Sequence, residues 1–265
     1  MTVIVVTVAV VALIAGVAVN HAIRPRLAVR DEEPLRVADL MGPLQTLTVI
    51  LLAFVLATAA TSYAKAKEAV GSEASAVDQL AEVSDYAPDP VRQHLRADVV
   101  CYARAVASYE WPAMAEGHDS KAPDTWSTDF RAQFRALNKA DPSFPLLVNA
   151  DRDRSVARQA RLAESAASVP EAVYWFMLAS LAVTVTALGL LMPGSGHKTH
   201  MAAVALVTAL LTSALLLIHD IERPFAGAVA ISPTVIKEVE RQETRDYTSA
   251  YTTARLPCDA AGKKL

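Results

Sequence analysis

Hydrophobic positions in this chain gather into four long uncharged blocks, set apart by ordinary polar sequence. The blocks are TVIVVTVAVVALIAGVAV (Thr2 to Val19), LQTLTVILLAFVLATAATSY (Leu44 to Tyr63), AVYWFMLASLAVTVTALGLLM (Ala172 to Met192) and MAAVALVTALLTSALLLI (Met201 to Ile218). A bilayer core is spanned by roughly 20 apolar residues in a helix, with about 17 tolerated, and each block qualifies. Backbone in lipid must satisfy its own hydrogen bonds, so the blocks are predicted to be helices. The resulting division is a first transmembrane helix over 1–20, a short loop over 21–43, a second helix over 44–63, an extramembrane segment over 64–170, a third helix over 171–192, a short loop over 193–200, a fourth helix over 201–218 and a tail over 219–265. The first block lacks a basic start, and its apolar run exceeds the about 7–15 residues of a signal-peptide core. A retained anchor is therefore favoured over cleavage.

The long middle segment keeps a helical period. Val70, Val77, Leu80 and Val83 recur at helical spacings among alanines and long polar residues, so the second span is expected to leave the membrane as one rod. The prolines of APDP stop it. Asp89 is then expected to cap a new helix with Pro90 at its first position. In that helix Val91, Leu95, Val99, Tyr102, Val106 and Tyr109 form one packed face. A short helical piece between Pro123 and Pro142 follows. A further helix is expected to run continuously into the third span, with Pro170 bending or starting it. No alternating strand pattern is present. The predicted fold class is all-α: four transmembrane helices, with a helical extramembrane domain between the second and third spans.

Composition agrees with apolar blocks inserted in soluble sequence. Hydrophobic residues make up 53% and charged residues 20% of the 265 residues, with a mean hydropathy of +0.27. A net charge of −3 gives no basic field for nucleic acid, and no nucleic-acid motif occurs. Arg24, Arg26, Arg30, Arg36 and Lys198 place the two short loops on the cytoplasmic side by the positive-inside rule. The middle domain and tail are then extracytoplasmic, although Lys65, Lys67, Arg154, Arg158 and Arg161 flank the opposite side.

Only two cysteines occur, Cys101 and Cys258, and four spans put both on one face. An oxidising location permits a bond between them. The alternative is two unpaired buried thiols. The polar setting RLPCD, where a free thiol would lie exposed, favours the bond.

The nucleophile elbow, the Walker loop, the dinucleotide glycine pattern and the zincin helix are all absent, so no cofactor and no enzymatic site are predicted. His197 and His200 share a tight loop without a carboxylate or thiol beside them, too few ligands for a metal. The EGHD run over 116–119 is equally thin. Two groupings remain. Glu110, Trp111 and Pro112 close the amphipathic helix, where tryptophan serves as packing or as an interfacial anchor. His219, Asp220, Glu222, Arg223, Pro224, Phe225 and Gly227 follow the last span. There His219 and Asp220 are either ionisable groups with a function at membrane depth or residues at the headgroup level. Pro224 ends the helix, Phe225 is expected to tuck against the span's final turn, and Asp220 to hold His219 charged.

The four-span layout, EWPAM after a long helix and IHDIERPFAGAVAIS after the last span resemble the bestrophin-like bacterial membrane protein family. The likeness covers most of the chain. True bestrophins are pentameric anion channels with an acid or amide followed by Pro-Phe-Gly after the last span. Here Pro224 and Phe225 match, and Ala226 displaces the glycine. AVAISPTV stands in place of the acidic cluster of calcium-gated bestrophins, so calcium gating is not implied. Their aromatic neck is represented in the second span by Phe54 alone. The resemblance implies a bacterial plasma-membrane protein in contact with lipid, a homo-oligomer (a pentamer by analogy) and an ion pathway. The second span is the pore-lining candidate, with Phe54 and a polar stripe of Thr58, Thr61 and Ser62; those hydroxyls could equally bond the helix backbone. The rival reading is a non-conducting envelope protein whose helical domain binds a protein partner or ligand.

Overall fold

A computed structural model describes residues 2–27, 37–167, 169–190, 198–252 and 255–265. Among them the regular structure is helical, and the one extended feature is an isolated bridge between Cys258 and Lys264. In chain order the helices are α1 (Thr2–Leu27), α2 (Val37–Ser84), α3 (Val91–Ala105), a π-turn (Val106–Glu110), α4 (Trp111–Ala115), α5 (Ala122–Ala136), α6 (Ser143–Ala163), α7 (Glu171–Leu190), α8 (Lys198–Ile221) and α9 (Thr234–Ala250). Four of these are long and apolar enough to cross a membrane, over Thr2–Ala22, Gly42–Ser84, Glu171–Leu190 and Met201–Ile221. Helix extends beyond the apolar blocks themselves. α1 runs past residue 20 to Leu27, α2 begins at Val37 with Pro43 inside it, and α8 continues to Ile221. Residues 28–36 and 191–197, which include Arg30, Arg36 and His197, lie outside the described residues.

The chain divides into two compact units. The first comprises Met1–Thr61 and Ser168–Glu222, the second Ser62–Ala167 and Arg223–Leu265. In the first, α1 packs on α7 where two glycines meet. A Cβ on Gly16 would stand 2.3 Å from the Thr186 carbonyl oxygen, and one on Gly189 2.9 Å from the Gly16 Cα. Lipid gives helices no hydrophobic reason to associate, so such close approach is what van der Waals packing between spans requires. Thr186 Oγ1 donates to the Ala182 carbonyl at 2.8 Å and reaches that of Ala12 at 3.3 Å. Buried Thr48 and Thr184 join α2 to α7 at 2.8 Å. Val5, Leu52, Met177, Leu181, Val185, Leu215 and Ile218 fill the space between.

In the second unit the outer part of α2 supplies Val70, Val77 and Leu80, all buried, while Val83 is only partly covered. α3 adds Leu95, Val99 and Tyr102, the π-turn adds Val106, and α5 adds Trp126, Phe130 and Phe134. α9 docks through buried Ile236 and Tyr247 and through ion pairs of Arg96 with Glu243 at 3.2 Å and of Arg104 with Glu240 at 2.7 Å. Cys101 and Cys258 are bonded, with Cα atoms 5.8 Å apart. The C-terminal hook thus tied to α3 is further held by Trp126 Nε1 donating to the Gly262 carbonyl at 2.9 Å and Lys264 Nζ meeting Asp129 at 2.7 Å.

Two local expectations are corrected. Asp89 does not cap α3: Pro90 occupies the cap position with no side-chain bond, and Asp89 instead pairs with Arg92. Nor is α6 continuous with the third span. α6 ends at Ala163, and α7 starts at Glu171, where the Pro170 carbonyl accepts from Val173 and Tyr174. Pro170 itself has no N–H to donate and disfavours helix in the residue before it, so it serves as a start and not as a bend.

The glycine contact makes a direct prediction. Gly189→Val should lower the unfolding midpoint in detergent by an amount corresponding to about 1–3 kcal/mol of overpacking. Gly71→Ala, at a helical position where a Cβ meets nothing within 4 Å, should leave the midpoint unchanged or raise it, because alanine favours helix by roughly 0.5–1 kcal/mol.

Candidate functional site

The two motifs that stand out in the sequence meet in the second unit. At the end of α3 the backbone widens into the π-turn, which inserts one residue and rotates those that follow. Tyr109 is thereby turned to the outside, and Glu110 and Trp111 both point inward. Single π-turns of this kind mark functional sites often enough to be read as deliberate features. Trp111 meets Phe225 edge to face, with centroids 5.4 Å apart and planes at 83°. Its Nε1 donates to the Ile231 carbonyl at 2.9 Å. The loop after α8 closes on itself, with the Ile231 N–H donating to the Pro224 carbonyl at 2.7 Å, and Tyr63 OH donates to the Val229 carbonyl at 2.9 Å. Phe225 thus packs on Trp111 within the second unit's core. Gly227 sits at φ +89° in this loop, where the left-handed backbone suits glycine. Pro112 and Arg223 are exposed.

Glu110 is the centre of a buried charge network. Its side chain is fully covered and accepts from Arg158 at 2.6 Å and from Arg161. Arg161, also fully covered, binds Glu73 of α2, and Tyr102 OH donates to Glu73 Oε1 at 2.6 Å. Arg158 reaches Asp124 of α5 and the Ser120 carbonyl at 3.2 Å. The Arg161 guanidinium lies 5.3 Å from the Trp111 ring centre, so the ion pairs and the aromatic clip share one wall. Burial opposes the charge on Arg161, but Glu73 and Glu110 outweigh it and raise its pKa. Arg158 is raised in the same way, against burial, by Glu110. Burial, with Glu73 beside it, pushes the Tyr102 phenol well up. The arrangement matches each buried charge with an opposite one, which suits a lock between helices.

Sequence reasoning found Glu110, Trp111, Pro224 and Phe225 but missed Glu73, Tyr102, Arg158 and Arg161. A signal was available for Arg158 and Arg161: they lie three apart on α6, sharing one helix face. The other candidates lie in the first unit or at its edge. His219 Nδ1 is 2.8 Å from Glu222 Oε1, and its ring stacks at a tilt 5.3 Å from Tyr174. Glu222 thus brings a carboxylate to that ring, as residues three apart on a helix face each other. On α2, Thr58 Oγ1 donates to the Phe54 carbonyl at 3.0 Å and Thr61 Oγ1 to that of Ala57 at 2.9 Å. The hydroxyl protons are thus spent on the helix, as the backbone-bonding alternative expects. Phe54 is 72% exposed, Thr58 and Thr61 are exposed and Ser62 is half-buried. Among the described residues no group of three or more metal-ligating side chains occurs.

Against this geometry stand the comparisons with known proteins. A family model described as a Bestrophin-like domain matches residues 5–236. Solved structures of a bacterial bestrophin homolog from Klebsiella pneumoniae share the fold. One single-residue variant of that homolog matches at a TM-score of 0.72 with 16% identity, covering 92% of this chain and 98% of that one. A second variant matches at 0.71 with 13% identity over 92% and 99%. A structure of the homolog solved by Zn-SAD phasing matches at 0.68 with 15% identity over 94% and 97%. No curated protein sequence matches this chain.

Two measurements probe the second unit. Arg161→Met leaves Glu73 without its cation in the core and should cost about 3–5 kcal/mol, the range for breaking a buried pair from one side. Lys264→Met, at the more exposed Asp129 pair, should cost at most about 1 kcal/mol; chemical denaturation of both variants separates the two. The second concerns Asp98, which burial and then neighbouring Asp129 push up to about 7, and whose Oδ2 has no partner among the described residues. Glu243 is likewise raised to about 7, chiefly by burial. A carboxyl that holds its proton in the folded state while the unfolded chain releases it near pH 3.9 for Asp loses stability as pH rises from about 4 to about 7. Asp98→Asn should therefore flatten the fall in melting temperature over that window, with its largest gain over the unaltered protein at about pH 8, above both pKa values.

Proposed function

The chain belongs to the bestrophin-like family, and on that footing we propose that this membrane protein works as a homo-oligomeric ion channel, pentameric by analogy with true bestrophins. The observation that carries the reading is the family match over residues 5–236, which takes in nearly all of the four helices able to cross a membrane. The structures that share its fold are described as those of a bacterial bestrophin homolog.

The face of α2 bearing Phe54, Thr58, Thr61 and Ser62 is assigned to the ion pathway in this reading. With the Thr58 and Thr61 protons committed to carbonyls, the rim of Phe54 and the Ser62 hydroxyl are what this face offers an ion. An aromatic edge is positive, which suits an anion. The second unit and the tail are placed on the extracytoplasmic side. Support comes from the Cys101–Cys258 bond, since disulfides persist in oxidising compartments, and from the arginines of the first short loop.

A non-conducting envelope protein is the alternative, resting on the second unit as a disulfide-braced domain able to take a partner. Mass measurement of the purified complex, paired with anion flux in liposomes, separates the two. A pentamer that passes chloride, with flux altered by Phe54→Ala or Thr58→Leu, is expected. A monomer without flux under any ion gradient would exclude the channel.

A further inference from the structure

Along α6 two faces are apolar, and the core uses the second only at its Phe144 end. Leu147, Ala150 and Arg154 are buried, whereas Val148 is 40% and Val156 57% exposed. With Phe144, Val148, Arg152 and Val156 spaced four residues apart, this second stripe faces the last turns of α5, where Arg131, Phe134 and Arg135 stand. Together they line a groove of about 660 Å³, inside the range of about 300–1,000 Å³ usual for small-ligand sites. Its floor is Phe134, Phe144, Val148 and Val156, and arginines border it.

The charges on that border do not cancel. Asp151 is the acid lining the groove, and it is already matched from behind by buried Arg154, whose Nε donates to it at 3.0 Å. Arg131 also forms an ion pair with Asp151, at 3.7 Å and so without a hydrogen bond, which leaves one carboxylate shared between two guanidiniums. Arg135 spends its Nε on the Arg131 carbonyl at 3.1 Å and keeps its terminal nitrogens. Arg152 is exposed and enters no ion pair or hydrogen bond among the described residues. Three guanidiniums thus surround an apolar trough on a chain whose net charge is −3. Guanidinium forks match carboxylate and phosphate oxygens in bidentate fashion, and exposed apolar side chains favour an alkyl or aryl chain.

We propose that the α5–α6 groove binds an amphiphilic anion, a single hydrocarbon chain ending in a carboxylate or phosphate, with the chain on Val148, Val156, Phe134 and Phe144 and the head group on Arg131, Arg135 and Arg152. The same chemistry occurs in a free fatty acid and in an anionic lipid. The inference does not depend on the ion pathway assigned to α2.

The test is calorimetric titration of the full-length protein in phosphatidylcholine nanodiscs, with empty nanodiscs subtracted. Dodecanoate, dodecyl phosphate and dodecanol are the probes. Saturable binding of the two anions at least tenfold tighter than of the alcohol is expected. Arg152→Glu should weaken it at least tenfold, and Val148→Asp likewise, with unfolding midpoints unchanged. Repeating the titration in discs containing phosphatidylglycerol identifies the source. Loss of dodecanoate binding there marks lipid as the occupant, and retention marks a soluble amphiphile; both support the site. Equal binding of alcohol and anion, or indifference to Arg152→Glu, overturns it. So does an absence of binding with Val148→Asp breaking the complex into smaller species, because the groove would then be covered by a second copy.

Discussion

The second unit depends on one costly arrangement: Glu73 and Glu110 facing Arg158 and Arg161 with almost no water among them. Removing such ions from solvent is worthwhile only where geometry is good and every lone pair and proton finds a partner. That demand explains features that look unrelated. α2 has to continue well beyond its apolar block for Glu73 to arrive at all. α3 has to break into a π-turn so that Glu110 and Trp111 enter side by side. α6 has to present two arginines one turn apart. Tyr102 is needed to occupy the oxygen of Glu73 that Arg161 reaches only at 3.3 Å.

The aromatic clip extends this arrangement to the loop after the last span. Trp111 meets the Phe225 ring, gives its N–H to Ile231 and offers its π cloud to the Arg161 charge. The two stretches by which the chain resembles its family are therefore one structural object. Their separation in sequence hides the fact that each completes the other.

What the sequence discloses follows from the range of the interaction involved. The four spans were legible because composition alone decides whether a helix can lie in lipid, and the helical faces of α2 and α3 because Val70, Leu80, Leu95 and Val99 repeat at a fixed period. Boundaries set by one residue's chemistry were half legible: Pro170 was legible as a bend or a start, and α7 starts after it, but the end of α6 at Ala163 was not. The Asp89 cap failed because a carboxylate near a helix start has two outlets, the backbone N–H groups and a basic side chain one turn on, and Arg92 was the second. Glu73 and Arg161, separated by 88 residues, were invisible because no periodic pattern records a pairing at that distance. The Trp111 partner of Phe225 was hidden for the same reason, since it lies far earlier in the chain.

The Cys101–Cys258 bond closes a ring of chain that contains both α7 and α8. Cys258 is synthesised only after those helices, and two crossings are needed to return it to the face where Cys101 waits. The bond thus ties the end of the chain to α3 across a sequence separation of 157, with both of those helices held inside the loop.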